Sequence, residues 1–594
     1  MSTPTKIKKI RLGICMAGAV SAGAYTAGVM DYLIEALERW ERLKAKERQR
    51  AVDNPGYQYR IPMHDVEIVM LGGASAGGMT AAIAARALAE TIEHISTEEL
   101  REKYKTAKPG AKGLNNLLYQ AWVKLTKPDM LNELLCIKDL DKFKNVRSLL
   151  NSKFKEDLAE KILEKNLLDK PVTRPYIHKQ LDLLLTLCNF SGVTVKYPFH
   201  SAGGEKDTFF SIRLHRDFAH FSVGEETALP GRIPVDFKNL NTKILAQAAM
   251  ATGAFPVGFE ARIVERPTEI LGKNRFLKAM WGQLPKIIDP DNPERQEDVR
   301  TLNADGGTLN NEPFDLVQAV MDQRFPSAKN GFNSKDTHNI LLMIDPFPDN
   351  DSGDDDMVTK MKRNLFQVIP SLFNAILNQG RAKPHDIQTA CSSDLNRFII
   401  APSRAVPGKP DIEGSRAIAC GALGGFSGFV DEAFREHDFF LGRKNCQRFL
   451  QRYFSVPKND FFHPEYYPVQ ASDNFEIYTE ENNEEFATGK IPILPDLSND
   501  GFRVPLENPP PFPVYQLDKL KRYKNLALIR VRKIILLTIR PTLLQKIMFF
   551  LGVLLTLPFS PFLLLAAYLY IKRHIWKKIN NLIADGLRKW ELSK

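Results

Sequence analysis

The 594-residue chain reads as an α/β protein, a three-layer α/β/α fold with a mainly parallel central sheet. Two stretches carry this prediction. Near the N-terminus, residues 11–17 are strand-like, residues 18–28 form a loop of small residues rich in glycine, and Met30 to Leu37 make an amphipathic helix. The same order recurs with the apolar run Val66 to Leu71, a turn at Gly73 to Gly77, and a helical run to Leu88. Strand, tight glycine turn and helix form the unit that builds parallel sheets, since the helix carries the chain back to begin a neighbouring strand.

The second turn reads Gly73-Ala74-Ser75-Ala76-Gly77, a G-x-S-x-G between a strand and a helix, the arrangement of a nucleophile elbow. A side chain at either glycine collides with the adjoining strand or helix, so the turn pushes Ser75 out over the sheet edge. The helix N-terminus beneath it favours developing negative charge. The first loop, Gly18-Ala19-Val20-Ser21-Ala22-Gly23, leaves backbone N–H groups bare and suits an oxyanion. Farther on, Asp305-Gly306-Gly307 places a carboxylate immediately before two glycines.

These three sites, in this order, resemble the patatin-like phospholipase family. The family pattern is a glycine-rich oxyanion loop, a G-x-S-x-G nucleophile and an Asp-Gly-Gly or Asp-Gly-Ala. The resemblance implies Ser75 as nucleophile and Asp305 as its proton acceptor, with Gly306 and Gly307 completing that motif. It implies Gly18 and Ala19 as oxyanion-hole positions, with Gly23 at a further matching glycine. Asn311 and Pro313 match the run after the aspartate, and residues 251–256, Ala-Thr-Gly-Ala-Phe-Pro, match a segment ahead of it. The loop departs from the family's G-G-G-x-R-G, with Ala19 and Val20 at two glycine positions and Ala22 in place of the arginine.

The implied activity is cleavage of fatty acyl esters of phospholipids or related lipids through an acyl-enzyme, with no cofactor and no metal. A serine hydroxyl needs a base, and an ordinary aspartate, with a pKa of about 3.9, is a weak one at neutral pH. Burial among apolar walls raises it toward usefulness. Two other readings stand beside this one. A Ser-His-Asp esterase would recruit His338, just ahead of the apolar run 339–344, or His437; neither carries a motif tying it to Ser75. A catalytically silent protein of the same fold would bind a membrane or a partner.

Charge is unevenly spread. The chain holds 81 Lys and Arg against 70 Asp and Glu, but residues 516–594 alone hold 16 against 3. The basic excess therefore belongs to the tail. With no nucleic-acid-binding motif in sight, it points to an anionic membrane surface as partner. Residues 547–571 are 25 consecutive uncharged residues, interrupted by Pro558 and Pro561 and flanked by Lys546 and Lys572. The expectation is a membrane-associated protein with a cytoplasmic catalytic body, its tail a re-entrant hairpin or a single kinked transmembrane segment.

The six cysteines, at 15, 136, 188, 391, 420 and 446, have no paired spacing and fit reduced thiols. The expected organisation has 1–100 as the first part of the catalytic domain and 101–200 as a helical insertion covering the site. Residues 201–325 form the second catalytic part and 326–490 an α/β extension. A proline-rich linker at 491–515 leads to the basic tail, 516–594.

Overall fold

The computed structural model describes residues 9–592 except 58, 60, 109–112, 125–128, 199–208, 225–226, 278–297, 327–337, nearly all of 349–396, 458–489, 500–503, 540–575 and 578–579. Its centre is a nine-stranded sheet. β1 (Lys9–Met16) lies parallel to β2 (Asp65–Gly73), and α1 (Gly23–Asp53) carries the chain between them. β2 leads into α2 (Ser75–Ala87) and pairs in parallel with β3 (Ile177–Pro198). β3 turns back along β4 (Phe209–Val223), which is edged by the short β5 (Ile233–Val235). β6 (Arg262–Arg266) pairs antiparallel with β7 (Val299–Asp305), and β7 pairs antiparallel with β3. β8 (Asn339–Ile344) and β9 (Arg397–Ile400) extend the parallel set on the far side of β1.

Helices cover both faces, and the strand sequences show it. Every residue of β8, Asn-Ile-Leu-Leu-Met-Ile, is buried, as a strand covered on both sides requires. Alternation then sorts the side chains. Ile340, Leu342 and Ile344 join the core shared with α1, α2 and the helices Thr242–Thr252 and Glu432–Arg452. Leu341 and Met343 join a second core under the helix Phe314–Arg324. The three-layer α/β/α expectation is met, and the mostly parallel sheet brings the carboxyl ends of β1 and β2 side by side, with Met16 opposite Gly73.

Three expectations about the rest of the chain change. Of the stretch expected as a helical insertion, the described residues between 98 and 164 are largely helical, but Ile177–Pro198 is β3, a strand of the central sheet. Its apolar run 183–187 reads equally as strand or helix, and pairing with β2 and β4 decides it. The stretch expected as a linker is packed onto the body: Ile493, Leu494, Leu497 and Tyr515 are buried, and Asp496 accepts hydrogen bonds from Tyr32 and Arg39 of α1.

The expected membrane tail is also corrected. No helix among the described residues is long and apolar enough to cross a membrane, and segment 547–571 lies outside those residues. The start of the tail, helix Lys524–Ile539, docks on protein: Arg530 is buried and forms a two-pronged pair with Asp139 at 2.8 Å, while Lys533 meets Asp141 at 2.7 Å. Part of the basic excess is thus spent on carboxylates of the helical segment.

Candidate functional site

Ser75 is the first residue of α2, directly after β2. Its φ is +51°, a left-handed conformation that a non-glycine residue adopts at a cost of about 1–3 kcal/mol. The surrounding structure enforces it. A Cβ on Gly77 would sit 2.2 Å from the Met16 carbonyl oxygen, and one on Gly73 would sit 2.6 Å from the Gly77 carbonyl carbon. Only glycines let β1, β2 and α2 meet this closely, and the meeting turns the serine outward.

Asp305 ends β7, opposite Leu187 of β3. Although 230 residues separate the two in sequence, Ser75 Oγ donates to Asp305 Oδ2 at 2.5 Å. The other carboxylate oxygen accepts the Gly307 N–H at 2.7 Å, and Gly306 packs against the Thr186 backbone, where a Cβ would lie 2.2 Å from the carbonyl carbon. Asp305 is fully buried, and burial pushes its pKa up to about 6. The hydrogen bonds from Ser75 and Gly307 and the charge of Lys155 pull the other way without prevailing.

Beside Ser75 opens a narrow cavity of about 40 Å³ whose walls are mainly apolar: Met79, Trp122, Phe154, Phe255, Phe259 and Phe429 among them. Its lining offers an apolar group contact and little hydrogen bonding. Lys155 is the charged residue in its wall.

The glycine loop after β1 closes over the serine. Gly18 does not offer a free N–H, because its amide donates to the Asn311 carbonyl at 3.1 Å. Glycine is required there by contact instead: a Cβ would lie 2.9 Å from Ser75 Cβ and 2.1 Å from Asn311 Oδ1. Ala19 follows at the start of a short 3-10 turn, Val20–Ala22, and Val20 reaches the cavity wall. Ala22, where the family pattern has an arginine, is buried.

The two histidines considered at the sequence level stay apart from this arrangement. His437 is buried on the helix Glu432–Arg452, bonded to Asp438 at 2.8 Å and edge-on to Phe512. His338 lies at the far end of β8, its carbonyl accepting the Arg11 N–H. Neither lines the cavity, and the serine hydroxyl reaches the carboxylate with no imidazole between. Two participants had no motif to announce them: Lys155, and Thr252, whose Oγ1 accepts the Ser75 N–H at 3.0 Å. Thr252 stood inside the Ala-Thr-Gly-Ala-Phe-Pro segment, but without an assigned role.

The patatin-like phospholipase family model matches residues 14–317, from the middle of β1 to the helix beyond Asp305. This chain belongs to the patatin-like phospholipase family. It is also similar to the uncharacterized protein y4iI of Sinorhizobium fredii (strain NBRC 101917 / NGR234), at 32% identity over 485 residues. The match takes in 75% of this chain and 65% of the relative, so the chain spans just under two thirds of that relative's length. Cys15, Cys136, Cys188, Cys420 and Cys446 are free thiols, and Cys391 lies outside the described residues.

Proposed function

We propose that this protein cleaves fatty acyl esters of phospholipids or related lipids, with Ser75 as nucleophile and Asp305 as the base. The observation that carries this reading is the direct 2.5 Å hydrogen bond from Ser75 Oγ to Asp305 Oδ2 at the mouth of an apolar cavity. Asp305 takes the hydroxyl proton as Oγ attacks the ester carbonyl carbon. The carbonyl oxygen becomes an oxyanion, received by the Ala19 N–H and by the Ala76 N–H, next after the nucleophile in the first turn of α2. Collapse of the tetrahedral intermediate expels the alcohol part of the lipid, which leaves with the proton held by Asp305. Water then attacks the acyl-serine, gives its proton to Asp305, and releases the fatty acid as that proton returns to Ser75.

Two features favour this course. A carboxyl group with a pKa near 6 is ionised at neutral pH yet basic enough to share a proton, which suits a general base better than an ordinary aspartate. The apolar lining of the cavity meets the acyl chain, whose transfer from water contributes about 0.8 kcal/mol for each buried methylene. The deciding experiment measures release of fatty acid from mixed phospholipid micelles by wild type and by Ser75→Ala. Wild-type hydrolysis that Ser75→Ala lacks is expected; equal hydrolysis by both would remove Ser75 from the reaction.

A further inference from the structure

Three consecutive residues tie the two members of the proposed pair together. Thr252 Oγ1 accepts the Ser75 N–H at 3.0 Å, and the Ala254 carbonyl accepts the Asp305 N–H at 3.0 Å. Between them, the Gly253 carbonyl accepts a hydrogen bond from Lys155 Nζ. Lys155 comes from a separate element, the helix Lys153–Ala159. Its side chain is buried, borders the Ser75 cavity, and sets its ammonium 4.0 Å from the centre of the Phe259 ring.

We propose that Lys155 is a positioning residue for Ser75 and Asp305: its ammonium clamps the Gly253 carbonyl and fixes the run that holds both partners. The proposal rests on the reading of Ser75 and Asp305 given above.

Energetics argue that the charge is not incidental. A buried ammonium loses its hydration at a cost of several kcal/mol, and a methionine of similar length would fill the same space without it. Burial, aided by the nearby charge of Arg262, pushes the Lys155 pKa down to about 7, while Asp305 and Glu156 act to raise it. The surrounding groups single out the lysine as the cation acting on Asp305. Arg262 of β6 is engaged by Glu156 at 2.6 Å, and Cys188 of β3 carries a thiol pushed up to about 11, hence neutral. Lys155 is the cation whose charge lowers the Asp305 pKa. Without it, Asp305 becomes harder to ionise.

The test compares Lys155→Met, Lys155→Gln and Lys155→Arg with wild type on a soluble p-nitrophenyl acyl ester, recording kcat/KM against pH and the melting temperature of each. Lys155→Met and Lys155→Gln should lose about tenfold to a hundredfold in kcat/KM, the scale set by small misplacements of reacting groups. Their acid limb should move upward from about pH 6. Lys155→Arg, which keeps the charge, should hold the acid limb at its wild-type position. An unmoved acid limb in folded Lys155→Met and Lys155→Gln would overturn the proposal, because a merely structural lysine lowers stability or rate without shifting the base. Ser75→Ala is run alongside. If it stays active, the Ser75 reading fails; if it is inactive, the Lys155 results bear on the lysine alone.

Discussion

Gly18 and Asn311 hold each other twice: the Gly18 N–H donates to the Asn311 carbonyl at 3.1 Å, and the Asn311 side-chain amide donates back to the Gly18 carbonyl at 3.3 Å. The loop after β1 is thereby fastened to the turn after Asp305, across 293 positions of sequence. Gly18→Ala forces a choice between moving Asn311 and moving Ser75, since its Cβ would stand 2.1 Å from one and 2.9 Å from the other. We expect kcat/KM to fall by about a hundredfold, the usual consequence of a displacement near 1 Å at the reacting atoms. Steady-state kinetics beside a melting curve checks this; wild-type kinetics would mean that the loop yields freely.

Replacing either member of the proposed pair should abolish ester hydrolysis. Ser75→Ala and Asp305→Asn remove the nucleophile and the base, and in a serine enzyme acting through such a unit the loss reaches about 10⁶ in kcat. Both variants should melt cooperatively, because Ala fits at position 75 and Asn keeps an oxygen for the Gly307 N–H. Circular dichroism and fatty acid release, measured together, decide the point.

The pH dependence follows from burial of Asp305. Hydrolysis should rise with pH through an apparent pKa of about 6 as the base ionises. Stability runs the opposite way. The folded-state pKa lies above the ordinary aspartate value of 3.8, so the contribution of the neutral carboxyl is fully present below that value and is lost as pH rises through about 6. Asp305→Asn should therefore melt higher than wild type above pH 6 and gain little below pH 4. Melting temperatures across that range, with the opposite ordering at pH 8, would contradict the burial argument.

His338→Ala and His437→Ala should keep the hydrolytic rate per folded molecule. His437 is bonded to Asp438, which also accepts the Ala419 and Cys420 N–H groups, so its loss should lower the melting temperature and leave kcat alone. A collapse of kcat with normal melting would return an imidazole to the mechanism.

Arg443 anchors the wall behind the site. It is fully buried and bonds Asp31, Glu35 at 2.6 Å and Glu507 at 2.6 Å, joining α1, the helix Glu432–Arg452 and the proline-rich stretch. Arg443→Met takes the shared cation from three carboxylates; Asp31 keeps His94 and Asn116, Glu35 keeps Arg39, and Glu507 loses its ion-pair partner, so we expect a loss of about 3–5 kcal/mol in unfolding free energy. Denaturant titration measures it. The deficit should shrink at acid pH, where the abandoned Glu507 carboxylate protonates.

The strands β1, β2 and β8, the elbow at Ser75 and the carboxylate at Asp305 are legible in the residues alone. In each case the information is local: a buried strand is a short apolar run, and a turn this tight admits only glycine at Gly73 and Gly77. The order of the motifs is equally plain along the chain, and that order is what the family resemblance rests on. Whatever depends on distant residues meeting is set by folding. Ser75 and Asp305 come within hydrogen-bond distance because β7 pairs against β3, and β3 against β2. Lys155 is one lysine among many until the helix Lys153–Ala159 packs it against Gly253. Gly18 reads as an amide donor until Asn311 takes its hydrogen. The proline-rich stretch reads as a linker until Asp496 and Glu507 find buried arginines. Composition and spacing set the backbone locally, whereas side-chain contacts, burial and the pKa of a carboxyl group arise only when the chain has folded around them.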